Sequence, residues 1–320
     1  MPTGTKKILI LGGLGFIGKN LYNRLVQDGH AVTILTERIH DESDGFLTPT
    51  VRQHTVQGSI LNPQLMNNIV APFDVIFSLA GSSGAADSIR DPYHDLDTNL
   101  KGHLNILEAC RQHNPGALLV FPSSRLVYGK PAANPVREDH PLQPESIYAI
   151  HKITTEHYYL LYQRLYGIRA VIFRIANPFG PFQRFGSNNY GILNWFIHRA
   201  LVGEPIEIYG DGSQQRDFIY INDLVEVLTR TIDTPAMAGN IYNLGAGGGI
   251  SLRQAVEVIQ KYIPATQVVF RQWPEIAKKI ETGDYIADIE LLKQHTGWAP
   301  RTSFDAAMKE TIAFYDRSNK

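Results

Sequence analysis

The sequence holds a pair of side chains whose types and spacing suit proton transfer. Tyr148 and Lys152 stand as Y-x-x-x-K in a stretch, Ser146 to Tyr166, that reads as a long helix. Residues i and i+4 share a helix face. A free phenol titrates near pH 10 and is a poor base at neutrality. A nearby ammonium favours the phenolate. A phenol so tuned can take a proton from a hydroxyl or return one to a ketone. The same spacing also occurs in ordinary exposed helix pairs. Ser123 and Ser124 follow an apolar run and could orient the reacting oxygen. A helix or turn cap is the structural alternative.

These residues need a scaffold, and the first half of the chain supplies its pattern. Short apolar runs at Lys7–Leu11, Ala31–Leu35, Asp74–Ala80 and Ala117–Pro122 read as strands. Between them lie helical patterns, with Ile17, Leu21 and Leu25 in one and Leu100, Leu104 and Leu107 in another. Strand and helix in alternation imply parallel strands joined by crossovers. Unbroken apolar strands fit a sheet covered on both faces. A doubly wound α/β parallel sheet is therefore expected, with Ala170–Arg174 as a further strand. After Asn177 the pattern turns irregular. Helices are expected around Leu193–Val202, Ser251–Tyr262 and Ser303–Tyr315, and strands at Glu207–Tyr209 and Ile241–Leu244. The expected division is a first domain over 1–176, with 214–244 returning to it. A smaller mixed α/β substrate lobe would take 177–213 and 245–320.

Gly12, Gly15 and Gly18 form G-x-x-G-x-x-G directly after the first strand, and Phe16 and Ile17 open the first helix. Glycine permits the tight turn and lets the backbone approach a pyrophosphate. The helix start offers free N–H groups to the phosphates. This points to a dinucleotide, NAD or NADP, and a positive nicotinamide ring would add to the effect of Lys152 on Tyr148. The end of the second strand reads Thr36-Glu37-Arg38. Glu37 could accept from the adenosine ribose diol of NAD, and Arg38 could hold the 2′-phosphate of NADP or pair with Glu37. NAD is favoured. Leu79 and Ala80, which close the run Asp74–Ala80, are also expected to line the cofactor, as are Ser59 and Ile60.

Lys plus Arg number 30 and Asp plus Glu 31, a net charge of −1, which argues against a general nucleic-acid binder. The chain has one cysteine, Cys110, so no internal disulfide can form. The apolar run Ile8–Leu11 stops at Gly12, short of the roughly 20 residues a spanning helix needs. A soluble, cytoplasmic chain with no membrane partner is expected. The 11 histidines show no close ligand cluster, and no metal is expected.

The chain resembles the extended short-chain dehydrogenase/reductase family, in its nucleotide-sugar epimerase/dehydratase branch. The residues that carry the resemblance are GGLGFIG (Gly12 to Gly18), SSRLVYG (Ser123 to Gly129), YAIHK (Tyr148 to Lys152), NPFGP (Asn177 to Pro181), GDGSQQRDFIYINDL (Gly210 to Leu224) and YNLGAG (Tyr242 to Gly247). It implies Ser124, Tyr148 and Lys152 as a catalytic triad, with Lys152 also on the nicotinamide ribose. It implies Asn99 near the cofactor, and Asn177 and Arg216 on a nucleotide-diphosphate sugar. For Arg216 a salt bridge to Asp217 is the structural alternative. Asn189 and the neighbouring Phe185, Asn188 and Trp195 would shape the substrate lobe. A homodimer through the Asn99–Cys110 and Tyr148 helices is implied. Tyr158, Tyr159 and Tyr162 are compatible with that interface or with a packed core.

The chain departs from the family pattern at Thr36, at Ser59 and at Glu281-Thr282-Gly283-Asp284, where an arginine of R-P-G-D is missing. Ser124-Arg125-Leu126 also lacks the acid pair that dehydration requires. Two reactions compete. The first is a 4-epimerase acting through a transient 4-keto sugar. The alternative is an NADPH-dependent 4-keto reductase of an activated deoxy sugar, which Arg38 supports and Glu37 opposes. A non-enzymatic dinucleotide sensor would not need the intact Ser124, Tyr148 and Lys152.

Overall fold

The computed structural model describes residues 4–39, 45–82, 84–184 and 191–318. In chain order the strands are β1 (Lys7–Leu11), β2 (Ala31–Thr36), β3 (Thr55–Gln57), β4 (Val75–Ser78), β5 (Leu118–Ser124), β6 (Arg169–Ile175), β7 (Asn177–Phe179), β8 (Ile206–Tyr209), β9 (Gln215–Tyr220), β10 (Ile241–Leu244), β11 (Gly249–Ser251) and β12 (Val268–Arg271). Seven of them form one parallel sheet in the order β10-β6-β5-β4-β1-β2-β3. Chain order reverses between β4 and β1, and a doubly wound sheet binds its ligand outside that switch point. The fold class is the one the alternating pattern implies.

Side chains alternate between the two faces of the sheet. Ile8, Ile10, Val75, Phe77, Val120 and Phe173 join one buried cluster, while Leu9, Leu11, Ile76, Leu119, Phe121 and Ile172 join another. Both faces are covered, so no strand needs a polar side. Each such side chain contributes roughly 1.5–3 kcal/mol by leaving water. Cys110 packs in the second cluster, where burial pushes its thiol up to about 12.

The second group of elements is smaller and mixed. β9 pairs parallel with β7 and antiparallel with β11, and β12 pairs parallel with β8. Helices Ile192–Leu201, Leu252–Tyr262 and Phe304–Ser318 pack on one another.

Two expectations change. The edge strand β3 was not foreseen, so Ala117–Pro122 is part of the fifth strand and not the fourth. Ser123 and Ser124 are its last two residues rather than a loop after it.

The helix Ile147–Tyr166 starts at its cap Ser146, whose Oγ accepts from the Ala149 N–H at 3.2 Å. It ends at Gly167, whose φ of 71° is the left-handed closure that favours glycine. Tyr159 lies in the core at 0 % exposure. Tyr162 donates to Glu108 Oε1 at 2.5 Å.

Candidate active site

Parallel pairing aligns the ends of β1, β2, β4, β5 and β6, so Gly12, Glu37, Leu79, Ser124 and Ala176 all emerge on one edge of the sheet. The helix Ile147–Tyr166 crosses behind that edge. Ser88 Oγ accepts from the Tyr148 N–H at 3.0 Å and fixes where the helix begins.

The Ser124 side chain lies close enough to the Tyr148 phenol to pull its proton affinity down. Ser124 Oγ also accepts from the Leu126 N–H at 3.2 Å, so the serine caps the following turn as well. Lys152 lies one helical turn from Tyr148. Its Nζ stands 5.6 Å from the centre of the Tyr148 ring and 4.7 Å from that of Phe121, and it donates to the Pro122 carbonyl at 3.0 Å.

Burial dominates the electrostatics. It pushes the Tyr148 phenol up to about 12, against the opposing pull of the Ser124 side chain. It brings the Lys152 ammonium down to about 8, with Asp95 and Glu156 pulling the other way. The sequence argument expected Lys152 to bring the phenol down. In this arrangement the phenol keeps its proton at neutral pH, because desolvation outweighs its neighbours.

Beside the pair lies a polar cluster that spacing did not reveal. Asp95 is 2 % exposed. Its Oδ1 accepts from His151 Nδ1 at 2.6 Å, and its Oδ2 accepts from Ser82 Oγ at 2.7 Å and Asn99 Nδ2 at 2.9 Å. Asp95 raises both Tyr148 and Lys152. Asn99 sits in a π-turn, Asp97–Lys101, whose freed Asn99 carbonyl accepts from Thr155 Oγ1 at 2.7 Å. The signals available were that Asp95 lies four residues before Asn99 and that His151 adjoins Lys152.

Glu156 anchors the level below. It accepts Ser123 Oγ at 2.5 Å and the Arg174 guanidinium at 2.7 Å, both buried. Arg174 in turn donates to the Tyr128 hydroxyl at 3.0 Å. The chain around Ser124 is thus held by a buried ion pair.

The dinucleotide side is built mainly from backbone. Gly12 has a φ of 80°, and a Cβ there would come within 2.8 Å of the Ala80 backbone. A Cβ on Gly18 would meet Gly13 Cα at 2.6 Å, so glycine lets the helix close on the turn. Gly15 caps the helix Phe16–Gln27 without a side-chain bond, leaving the N–H groups of Phe16 and Ile17 without a side-chain acceptor, while both side chains pack against the core. His103 Nε2 donates to the Ala80 carbonyl at 3.1 Å, and burial brings this histidine down to about 3, so it is neutral.

Thr36 Oγ1 donates to the Arg38 carbonyl at 3.1 Å, and Ser59 Oγ accepts from the Leu61 N–H at 3.3 Å. Both therefore serve their own turns. Glu37 and Arg38 form no ion pair with each other. The Ile60 carbonyl accepts from Asn105 Nδ2 at 3.0 Å. Asn99 Oδ1 is buried without a partner among the described residues. An orphaned acceptor and an open glycine-capped helix start fit a dinucleotide at this edge.

The candidate substrate residues divide. Asn177 opens β7, and its Oδ1 is buried without a partner among the described residues. Asn189, Phe185 and Asn188 lie outside the described residues. Trp195 is half-buried against the core, with the Arg199 guanidinium 5.7 Å from its ring centre. Arg216 is buried and pairs with Glu281 at 2.6 Å, not with the neighbouring Asp217. Asp217 instead accepts the N–H groups of Ala246, Gly247 and Ala287, and burial raises it to about 6.

Comparison with known proteins follows this geometry. The profile of the NAD dependent epimerase/dehydratase family matches residues 8–245. The UDP-glucose 4-epimerase of Mycolicibacterium smegmatis is 29% identical over 97% of this chain and 98% of its own. The UDP-N-acetyl-alpha-D-glucosaminuronate decarboxylase of Bacillus cytotoxicus is 30% identical over 97% of this chain and 98% of its own. The crystal structure of UDP-glucose 4-epimerase with UDP-glucose from Thermotoga maritima is 26% identical and covers 98% of this chain and 100% of its own, with a TM-score of 0.89. No helix among the described residues is long and apolar enough to cross a membrane. With its parallel sheet and glycine turn, the chain belongs to the NAD dependent epimerase/dehydratase family, the nucleotide-sugar branch of the extended short-chain dehydrogenase/reductases.

Proposed function

We propose that the chain is an NAD-dependent 4-epimerase of a nucleotide-diphosphate sugar, with UDP as the nucleotide its relatives point to. The observation that carries the reading is the grouping of Ser124, Tyr148 and Lys152 at the carboxyl edge of the sheet, with the Lys152 Nζ 5.6 Å from the centre of the Tyr148 ring. NAD, when bound, supplies hydride removal and return at the sugar's C4. Tyr148 would take the 4-hydroxyl proton and later give it back to the opposite epimer, so no net base is consumed. Ser124 would hold that oxygen in line with the phenol. Lys152 would supply the positive charge that a buried phenolate needs, and would hold the nicotinamide ribose.

Gly12 and Gly15, with the N–H groups of Phe16 and Ile17, would receive the pyrophosphate. Glu37 would accept from the adenosine ribose, and Thr36, Arg38, Ser59, Ile60, Leu79, Ala80 and Asn99 would line the remaining contacts. Asn177 and Arg216, with Asn189, would hold the substrate. The division into a cofactor part over 1–176 and 214–244 and a substrate part elsewhere belongs to the same proposal, although β9, within 214–244, pairs with β7 and β11 of the substrate part. So does a homodimer through helices Gly102–His113 and Ile147–Tyr166, where Ile150 and Leu165 are exposed. Sedimentation would test the dimer.

One observation favours the reductase reading: Arg38 is exposed and carries no ion pair among the described residues, so it is available for a 2′-phosphate. The test is to incubate the protein with UDP-glucose and follow UDP-galactose. The epimerase reading expects interconversion with no net reduced cofactor. Oxidation of NADPH by a 4-keto sugar, with no interconversion, would replace it with the reductase.

A further inference from the structure

Two buried guanidiniums reach one short loop, 281–283, and only one of them is bonded to a carboxylate. Arg216 is bonded to Glu281 at 2.6 Å and donates Nη1 to the Gln215 and Gly283 carbonyls at 2.9 Å each. Arg125 directly follows Ser124 in the chain and is 8 % exposed. Its Nη1 donates to Thr282 Oγ1 at 2.9 Å, and its guanidinium lies 5.4 Å from the centre of the Tyr285 ring. Among the described residues it makes no other hydrogen bond and no ion pair.

A guanidinium offers five donors in a planar fork, and Arg125 spends one of them on a neutral hydroxyl. A buried charge is normally paired. Here burial together with Arg216 brings Arg125 down to about 10, while Glu281 and Asp217, neither of them bonded to it, pull the other way. Both guanidiniums reach one short loop, 281–283, and Arg125 is the residue that directly follows Ser124 in the chain.

We propose that Arg125 and Arg216 form a paired-guanidinium site for an anionic oxygen group of the substrate, with Arg125 as the specificity-determining member. The inference rests on the nucleotide-sugar reading and adds the residue that recognises the anion. Phosphate and carboxylate present the same planar acceptor edge to a guanidinium fork, so the anion is either the substrate's diphosphate or a carboxylate on its sugar ring.

The test is calorimetric titration of UDP, UDP-glucose and UDP-glucuronate into the NAD-loaded full chain, comparing the unaltered protein with Arg125→Gln and Arg125→Lys. NAD affinity and the unfolding temperature serve as folding controls, and Arg125→Lys keeps the charge if Arg125→Gln does not fold. If the diphosphate is the anion, Arg125→Gln weakens all three ligands by about tenfold or more, the loss expected for a charge-assisted contact. If a ring carboxylate is the anion, only UDP-glucuronate weakens. Arg125→Lys falls between, because an ammonium cannot pair bidentately. Unchanged affinity for all three ligands in both variants overturns the proposal, as does an unaltered protein that binds none of them. Binding that responds as expected in a protein that does not interconvert UDP-glucose and UDP-galactose overturns the 4-epimerase reading alone.

Discussion

The glycine turn after β1 and the side-chain cluster around Tyr148 share one edge of one sheet but are made of different material. The turn is backbone. Gly12 and Gly18 work by having no Cβ where a neighbouring backbone stands within 2.8 Å. The cluster is side chain. Asp95, Asn99, Tyr148, His151 and Lys152 come from two helical stretches, 92–101 and 147–166, joined by bonds such as His151–Asp95 at 2.6 Å. A backbone site offers donors that do not titrate. A side-chain site sets proton affinities, as in the raised phenol and the lowered ammonium. In the proposed function, cofactor docking and proton transfer thereby fall to separate parts, and the parts can be broken separately.

The largest separation is expected from Tyr148→Phe. It should cut turnover by about 10²- to 10⁴-fold, the usual worth of a positioned acid–base group. NAD affinity by equilibrium dialysis should stay within a few-fold, because the turn is untouched. Surviving activity would remove Tyr148 from the chemistry.

Glu156→Ala acts on the platform below both parts. It leaves the buried Arg174 guanidinium without its carboxylate. Removing one partner of a buried pair costs about 3–5 kcal/mol, measurable by denaturant unfolding. A loss under about 1 kcal/mol would mean that water replaces the carboxylate.

Gly12→Ala is the converse of Tyr148→Phe. It forces a Cβ into the Ala80 backbone at a φ of 80°. A stability loss of about 1–3 kcal/mol is expected, together with a loss of NAD binding. Retained NAD affinity would show that the turn does not seat the dinucleotide.

The most gradual effect is a pH dependence of the cofactor-free chain. Lys152 is lowered to about 8 from an unfolded value of 10.5. Folding therefore disfavours its charged form. That penalty is fully present below about 8 and is relieved as pH rises through 8 toward 10.5. Over that window the Lys152 contribution to stability should rise by up to about 1.4 kcal/mol per pH unit. Lys152→Met should flatten that part of the curve. An identical curve in the variant would place the titration elsewhere.

The difference between the two parts also explains what the sequence could disclose. Gly12, Gly15 and Gly18 lie within one turn, and Tyr148 and Lys152 within another, so local spacing carried both. Asp95 and His151 meet only through packing, 56 residues apart, and no period links them. Arg216 illustrates the same limit. Sequence proximity suggested Asp217, yet the fold brings Glu281 from 65 residues away and gives Asp217 to three backbone N–H groups. β3 escaped notice because three residues, two of them exposed, leave no pattern. β9 was read as a motif rather than a strand. Arg216 and Asp217 look exposed by type and are buried with partners. The direction of the Tyr148 shift was missed because burial, which outweighs charge there, has no signature in residue spacing.

The central claim is a chain that keeps its NAD and restores it in every cycle. It is tested most directly by purifying the protein without added cofactor, releasing bound nucleotide with acid and identifying it by chromatography. The account predicts near-stoichiometric NAD. An empty protein that then binds NADPH in preference to NADH would contradict it.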